Sequence, residues 1–455
     1  MHSAGIELRS SPRGMEGAGR GLAMRRLGDV WIGRKSGTLI WGEACLLATF
    51  GFLRDILGAP ATITYLFDVI NVFLFVAILM RGKYDNDGRY CRPAFALVLV
   101  FLFLTLLRAL TVGGSAVLYL WGLRNTFRFY VFFTCCVALW GARDVLRMPD
   151  FFKALFFLNV PLCMLEYAMG YSGDYVGGSF GVQQGGNGYL NILLVITTAI
   201  YVTEYLAGRT SILKLSSVLA LSFYMMAVAE LKVYFLELMI VVSVATLSER
   251  LTVRSLALAL VMLAGIIVGL YIMQLFFSGS GIDFFTSDAL ATYMGDAGYT
   301  GTGDLSRMNA LSRITSMFFS GDLTRLLFGF GLGNCSYSSN FAMLTSSFYQ
   351  YFSWLHYAWF SDAYVYLETG LVGLACFEAF FVLAFIVSRL RRYRDPDLRT
   401  VVNCTSVIAL MALLLSVYNS SLTVESGYLV YMFLAVPFIL DKYRKTGDIT
   451  HGSSV

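Results

Sequence analysis

Twelve apolar runs, each at or near the length of a bilayer crossing, constrain this chain more than any other feature. They fall at about 37–58, 62–80, 94–112, 117–141, 152–171, 187–207, 213–230, 232–248, 255–276, 362–388, 399–419 and 426–441. A helix needs ~20 apolar residues to span the hydrocarbon layer and at least about 17, so the pair at 213–248 lies near the lower limit. The chain has 455 residues, 57% hydrophobic and only 14% charged. Soluble domains carry about 25% charged residues, so a water-soluble fold could not cover this much apolar surface. The expected fold class is all-α: a polytopic membrane protein of about twelve transmembrane helices. Seven prolines among 455 residues exclude a proline-rich disordered chain.

Lysine and arginine in short loops set orientation, because cytoplasmic loops retain positive charge. Basic residues crowd 81–92, 143–153, 209–214, 250–254, 389–399 and the tail from Lys442, whereas 111–115, 171–186 and 420–425 have none. Twelve spans with both termini cytoplasmic satisfy every loop. The expected organisation is a disordered basic tail (1–36), helices 1–9 (37–276), an extracytoplasmic loop with short helices (277–361), helices 10–12 (362–441) and a cytoplasmic tail (442–455). No apolar stretch followed by a small-residue cleavage site succeeds the basic start, so no cleaved signal peptide is expected; initiation at Met15 or Met24 is an alternative. Six of the eight cysteines lie in apolar runs, Cys91 in a basic loop and Cys335 alone in the long loop, so no disulfide framework is expected. Of three histidines, His2 and His451 sit in the tails, which argues against a multi-histidine metal centre.

The 85-residue loop 277–361 is long enough to be functional in its own right. From Cys335 to Tyr366 it carries twelve aromatics in 32 residues, including Tyr349, Trp354, Tyr357 and Trp359. One reading is an interfacial aromatic belt; the other is a platform for the flat faces of sugar rings.

Charge within or beside a span is costly and therefore a functional signal. Arg124 and Arg128 stand at i, i+4 on one helical face. Glu230 and Lys232 mark a turn between two short helices, and Arg307 and Arg313 lie in the long loop. All belong to the same side of the membrane. Forked guanidiniums and a lysine there suit an anion carried by a lipid, above all a pyrophosphate. The plainer readings are snorkelling arginines and a polar turn. Asp85/Asp87 and Asp395/Asp397 imitate metal-holding aspartate pairs but sit in short cytoplasmic loops. Gly329-Phe-Gly331-Leu-Gly333 imitates a phosphate loop without the following lysine and reads as a tight turn.

That glycine turn, followed by Leu367-Glu368-Thr-Gly370-Leu-Val-Gly373, resembles the bacterial O-antigen ligase and O-antigen polymerase superfamily. In that superfamily a G-x-G-x-G turn is paired with an E-x-G-x-x-G helix start that closes the long outer loop. Gly178-Ser-Phe180-Gly181 followed by Asn187, the Glu230/Lys232 turn and Arg307 are also similar. The resemblance covers roughly 95–440 and is nearest to capsular or exopolysaccharide repeat-unit polymerases. It implies a metal-independent C-type glycosyltransferase fold in the bacterial inner membrane. The donor would be a glycan on undecaprenyl pyrophosphate, with no cofactor and no nucleic acid, and with a flippase and a chain-length regulator as protein partners. Catalytic roles would fall to His356, Asp362, Glu368, Lys232 and Arg307; Arg124, Arg128, Glu230, Arg313, Asn187 and Trp359 would bind substrate.

The chain departs from the ligases at one point. They carry His-Asn eleven and ten residues before the glycine of that helix start, where this chain has Trp359 and Phe360, with His356 one turn earlier. His356 is then either a displaced base or an interfacial histidine bonded to backbone, with Asp362 or Glu368 as substitutes. Other readings are an O-antigen ligase acting on lipid A core, a lipid-linked oligosaccharide flippase, and a catalytically silent member. The absence of a repeat and the one-sided charges disfavour a transporter.

Overall fold

In this chain the apolar periodicity is realised wholly as helix. The computed structural model describes residues 36–80, 91–248, 252–276, 300, 303–390 and 393–442, and all regular structure among them is helical. We number the long helices α1 (Ser36–Asp55), α2 (Tyr65–Met80), α3 (Cys91–Val112), α4 (Ala116–Leu139), α5 (Ala142–Ala168), α6 (Gly186–Leu206), α7 (Ile212–Val228), α8 (Tyr234–Ser248), α9 (Val253–Phe276), α10 (Ser361–Leu390) and α11 (Pro396–Tyr418). The last, α12, comes in two pieces, Gly427–Leu434 and Val436–Lys442. Pro437 supplies no amide to the preceding turn, which accounts for the break at Ala435. Among the described residues eight helices are long and apolar enough to cross a membrane, and α7 and α8 are shorter apolar helices. The chain is a polytopic membrane protein by that measure. The expected N-terminal tail up to 35, the basic loops around 81–90 and 249–251, Asp85/Asp87, residues 277–299 and the C-terminal tail lie outside the described residues.

Burial follows helical spacing. On α1 the buried face is Ile40, Ala44, Leu47 and Ala48, while Leu39 is exposed. The outer helices α2, α3 and α9 expose apolar side chains such as Phe73, Phe103 and Leu263, as lipid contact requires. By contrast α6 is buried nearly throughout.

Two local expectations change. Helix α5 begins at Ala142 rather than near 152, because Val145, Met148 and Phe152 form a buried stripe while Arg143, Arg147 and Asp150 face outward. The basic segment 143–153 is therefore an amphipathic helix start and not a loop. Cys91 opens α3 and is buried, with Sγ 3.6 Å from the Phe438 carbonyl, rather than lying in a loop. All eight cysteines are free.

Contacts between helix ends sort into two sets. At one end, Trp41 bonds Asp144, Lys153 bonds Glu204, Arg209 pairs with Asp397, and Lys442 caps the Val137 carbonyl. At the other, Asp55 accepts from Val182 N, Asn187 bonds the Ala229 carbonyl, Ser421 bonds Gly188, and Arg307 bonds Tyr418. The loops rich in Lys and Arg supply the first set and the loops without them the second. The described part of the long loop sits at the second end, with short helices at Ala310–Ile314, Leu323–Phe328 and Ser347–Phe352.

The two glycine motifs meet there. Helix α10 is broken at Gly370, whose φ of 67° is left-handed. At this break Phe330 N and Gly331 N donate to the carbonyls of Leu367 and Glu368 at 2.9 Å each. A Cβ on Gly370 would lie 2.4 Å from Leu327 C, so only glycine lets the turn and the helix approach this closely. Arg108 of α3 closes the contact by donating to the Gly329 carbonyl at 2.8 and 3.0 Å.

Candidate functional site

Three groups of polar side chains stand at the second end of the bundle, joined by the segment 418–426 between α11 and α12. The first belongs to α4. Arg124 donates to Asp68 Oδ2 of α2 at 2.7 and 2.9 Å and lies over the rings of Trp121 and Tyr65. One turn on, Arg128 is 7% exposed and pairs with Glu425 Oε1 at 2.9 Å, with Nη2 3.3 Å from the Thr423 carbonyl. Tyr189 of α6 donates its hydroxyl to Glu425 Oε2 at 2.8 Å. Arg54, at the end of α1 and paired with Asp55, lies within electrostatic reach of both Tyr189 and Glu425. Burial opposes ionisation of Glu425, but the adjoining Arg128 overrides it and holds the carboxyl at about 2.

The second group lies where α5 hands over to α6 and α7 to α8. Asn187 donates to Asp174 Oδ1 at 2.8 Å and to the Ala229 carbonyl at 3.1 Å, which ties the start of α6 to the turn carrying Glu230 and Lys232. Glu230 is exposed with φ 53°, and Gly173 leaves room for its carboxylate. Lys232 Nζ makes no hydrogen bond or ion pair among the described residues.

The long loop supplies the third group. Arg307 donates to the Tyr418 carbonyl at 2.9 Å and stacks over that ring at 4.3 Å. Arg313 holds the carbonyls of Asp304 and Gly303 at 2.6 and 2.8 Å. The bond from Leu305 N to the Leu355 carbonyl brings this strand of the loop beside His356. The imidazole rests on Trp359 at 3.9 Å between ring centroids. Burial pushes the His356 pKa down, partly offset by the charge of Asp304, so the ring is neutral near pH 7. Its φ is 54°. Glu230 and His356 are the two non-glycine residues with positive φ among the described residues, and backbone of this kind is held only where its surroundings impose it.

The segment 418–426 links the three. Tyr418 takes Arg307, Asn419 accepts Ser361 N at 3.0 Å, Ser421 bonds Gly188 beside Asn187, and Thr423 and Glu425 take Arg128. Of the expected site residues, Arg124, Arg128, Asn187 and Arg313 are engaged in holding neighbouring segments. Arg307 is engaged too, while Lys232 and His356 have no side-chain hydrogen bond among the described residues.

The two expected alternative bases are placed differently. Asp362 is buried and accepts Ala363 N at 2.6 Å. Glu368 is buried and accepts Cys335 N at 3.2 Å and the Ser336 hydroxyl at 2.7 Å, which fastens the glycine turn. That geometry assigns Glu368 to holding the loop. Sequence reasoning missed Arg54, Tyr189 and Glu425. Glu425 had a signal: it is the only charge in 420–425, a segment expected on the same side as the Arg124/Arg128 pair.

Among the described residues no three His, Cys, Asp or Glu side chains gather as a metal site. A cavity of about 220 Å³ opens at the first end of the bundle, bounded by Asp150, Glu204, Arg209 and Asp397. Its one cation, Arg209, is paired with Asp397 and stands among further carboxylates, so the cavity does not suit an anionic ligand. No protein-family model and no curated protein matches the chain.

Proposed function

We propose that the protein is a polysaccharide polymerase of the outer face of the bacterial inner membrane. It transfers a glycan from undecaprenyl pyrophosphate to the non-reducing end of another lipid-linked repeat unit. In this reading all twelve helices cross the membrane, both termini are cytoplasmic, and the fold is that of a C-type glycosyltransferase. The observation that carries it is the placing of Lys232 and Arg307 at one end of an apolar bundle, at the same end as the carboxylate-paired Arg54, Arg124 and Arg128 and the neutral His356.

Each residue then has a task. Lys232, which has no ion pair among the described residues, takes the pyrophosphate of the donor, and Arg307 adds its positive charge from the loop. Preorganised cations stabilise the charge that appears on the leaving phosphate oxygen as the glycosidic C–O bond breaks. His356 accepts the proton of the attacking sugar hydroxyl, with Trp359 beside it to receive the face of the acceptor ring. Arg128, held by Glu425, and Arg124, held by Asp68, keep the wall of the site in place. A flippase that delivers units and a chain-length regulator are the partners this chemistry calls for.

The test is incubation of the reconstituted protein with undecaprenyl-pyrophosphate-linked repeat units, followed by gel separation. A ladder is expected from the wild type and loss of the ladder from Lys232→Ala, with partial recovery in Lys232→Arg. A ladder unchanged in Lys232→Ala and Arg307→Ala refutes the cation pocket, and glycan appearing on lipid A core in place of a ladder identifies a ligase.

A further inference from the structure

Two pairs of side chains inside the bundle share one hydrogen-bonding pattern. In the first, Asn71 of α2 donates Nδ2 to Glu43 Oε1 of α1 at 2.6 Å. In the second, Asn191 of α6 donates Nδ2 to Glu237 Oε1 of α8 at 2.8 Å. All four residues are at most 2% exposed. Each pair leaves the same two atoms without a donor, the glutamate Oε2 and the asparagine Oδ1.

An ionised carboxylate can only accept, so an ionised glutamate leaves both oxygens of the pair unsatisfied. Neither glutamate has a salt bridge among the described residues. Around Glu43 stand Asp68 of α2, Cys135 of α4 and Tyr428 of α12, none of them cationic. Near Glu237 is Tyr234, whose hydroxyl is 2.5 Å from that of Thr198. A lone buried charge in such surroundings is expensive. One proton per pair removes the whole difficulty. Placed on Oε2, it donates to the asparagine Oδ1, and the two planar groups then exchange two parallel hydrogen bonds.

We infer that Glu43 and Glu237 are neutral carboxylic acids, each locked in a reciprocal acid–amide pair, with Asn71 and Asn191 respectively. The pairs fasten α1 to α2 and α6 to α8. Their placement bears on the site above them: Asn71 is one turn from Asp68, Asn191 is one turn from Asn187, and Glu237 follows Lys232 by five residues on the same turn-and-helix unit. Helices that frame the site are thus joined without adding negative charge beneath it. That consequence rests on the proposed function, whereas the protonation does not.

Infrared difference spectra of the full-length purified protein at neutral pH decide the matter, because a protonated carboxyl and a carboxylate absorb in separate regions. Wild type minus E43Q, and wild type minus E237Q, are each expected to show loss of a carboxylic-acid carbonyl band, with both losses present in the double variant. Loss from the carboxylate region instead overturns the inference. Gln can form the same two bonds, with Nε2 in place of the acid O–H, so both Gln variants are expected to melt with the wild type and the Ala variants below it. A Gln variant that melts as low as its Ala counterpart overturns the reciprocal geometry. Neither measurement requires catalysis, so an inactive protein with the acid bands refutes only the polymerase reading, and an active one without them refutes only this inference.

Discussion

At the scale of single residues, Glu425 shows how one carboxylate orders the arginine side of the site. It accepts from Arg128 and from Tyr189, one bond to each oxygen. Replacing it with alanine strands the guanidinium of Arg128 in a buried position, a loss of about 3–5 kcal/mol for a pair of this kind. Thermal melting of Glu425→Ala in detergent should therefore fall well below the wild type. The pair also gives stability a pH dependence. The folded chain keeps Glu425 ionised down to about 2, against an ordinary value of 4.5. The unfolded chain takes up the proton first, so the contribution is complete above about 4.5 and is lost as pH falls towards 2. A melting series across that window should lose this part of its slope in Glu425→Gln. His356 yields a second pH test. The charge of Asp304 raises its pKa against the lowering effect of burial, so Asp304→Asn lowers it further. The acid limb of polymerising activity should then move to lower pH, and an unmoved limb would exclude His356 as the titrating base.

At the scale of elements, the clamp between the glycine turn and α10 gives the sharpest mechanical prediction. Gly370 has φ 67° and its Cβ would strike Leu327 and Phe328, while Gly333 has φ 85° and its Cβ would lie 1.8 Å from the Leu118 carbonyl. Alanine at either position must move backbone, which costs well over the ~1 kcal/mol of an ordinary helical glycine exchange. Gly370→Ala and Gly333→Ala should melt early or fail to accumulate as a monodisperse protein, whereas Gly42→Ala, with nothing within 4 Å, should be neutral or mildly stabilising. These elements also show what the sequence could convey. Each of the twelve apolar runs is helical, and eight helices among the described residues have the apolar length of a crossing; the ends moved, as at Ala142, and the last run is split at Ala435. The glycine motifs were legible as a turn and a helix start. Their mutual contact was not, because it depends on a left-handed residue within a run that reads as one continuous helix. The site was legible as cations in costly places. Its organising carboxylate was not, because Glu425 lies some 300 positions from Arg128 and no local pattern joins them.

At the scale of the whole molecule, the division of contacts into two ends is itself a testable claim about orientation. One end is built from the segments rich in Lys and Arg, the other from the segments that lack them, and the positive-inside tendency predicts that the first faces the cytoplasm. The proposed reaction depends on this, because its lipid-linked units are polymerised only after they reach the outer leaflet. Two exposed positions report the two ends. Met343 stands in the long loop, and Asp150 stands on the outward face of the first turns of α5. A membrane-impermeant maleimide applied to intact spheroplasts should label Met343→Cys and should label Asp150→Cys only after permeabilisation. The native thiols add little background: Cys335 is buried, and Cys45, though exposed, lies midway along an apolar helix of spanning length. Labelling in the opposite order would put Lys232, Arg307 and His356 on the cytoplasmic side. A site there faces lipid-linked units before they cross the membrane, so that result would remove the polymerase reading while leaving the helix bundle as described.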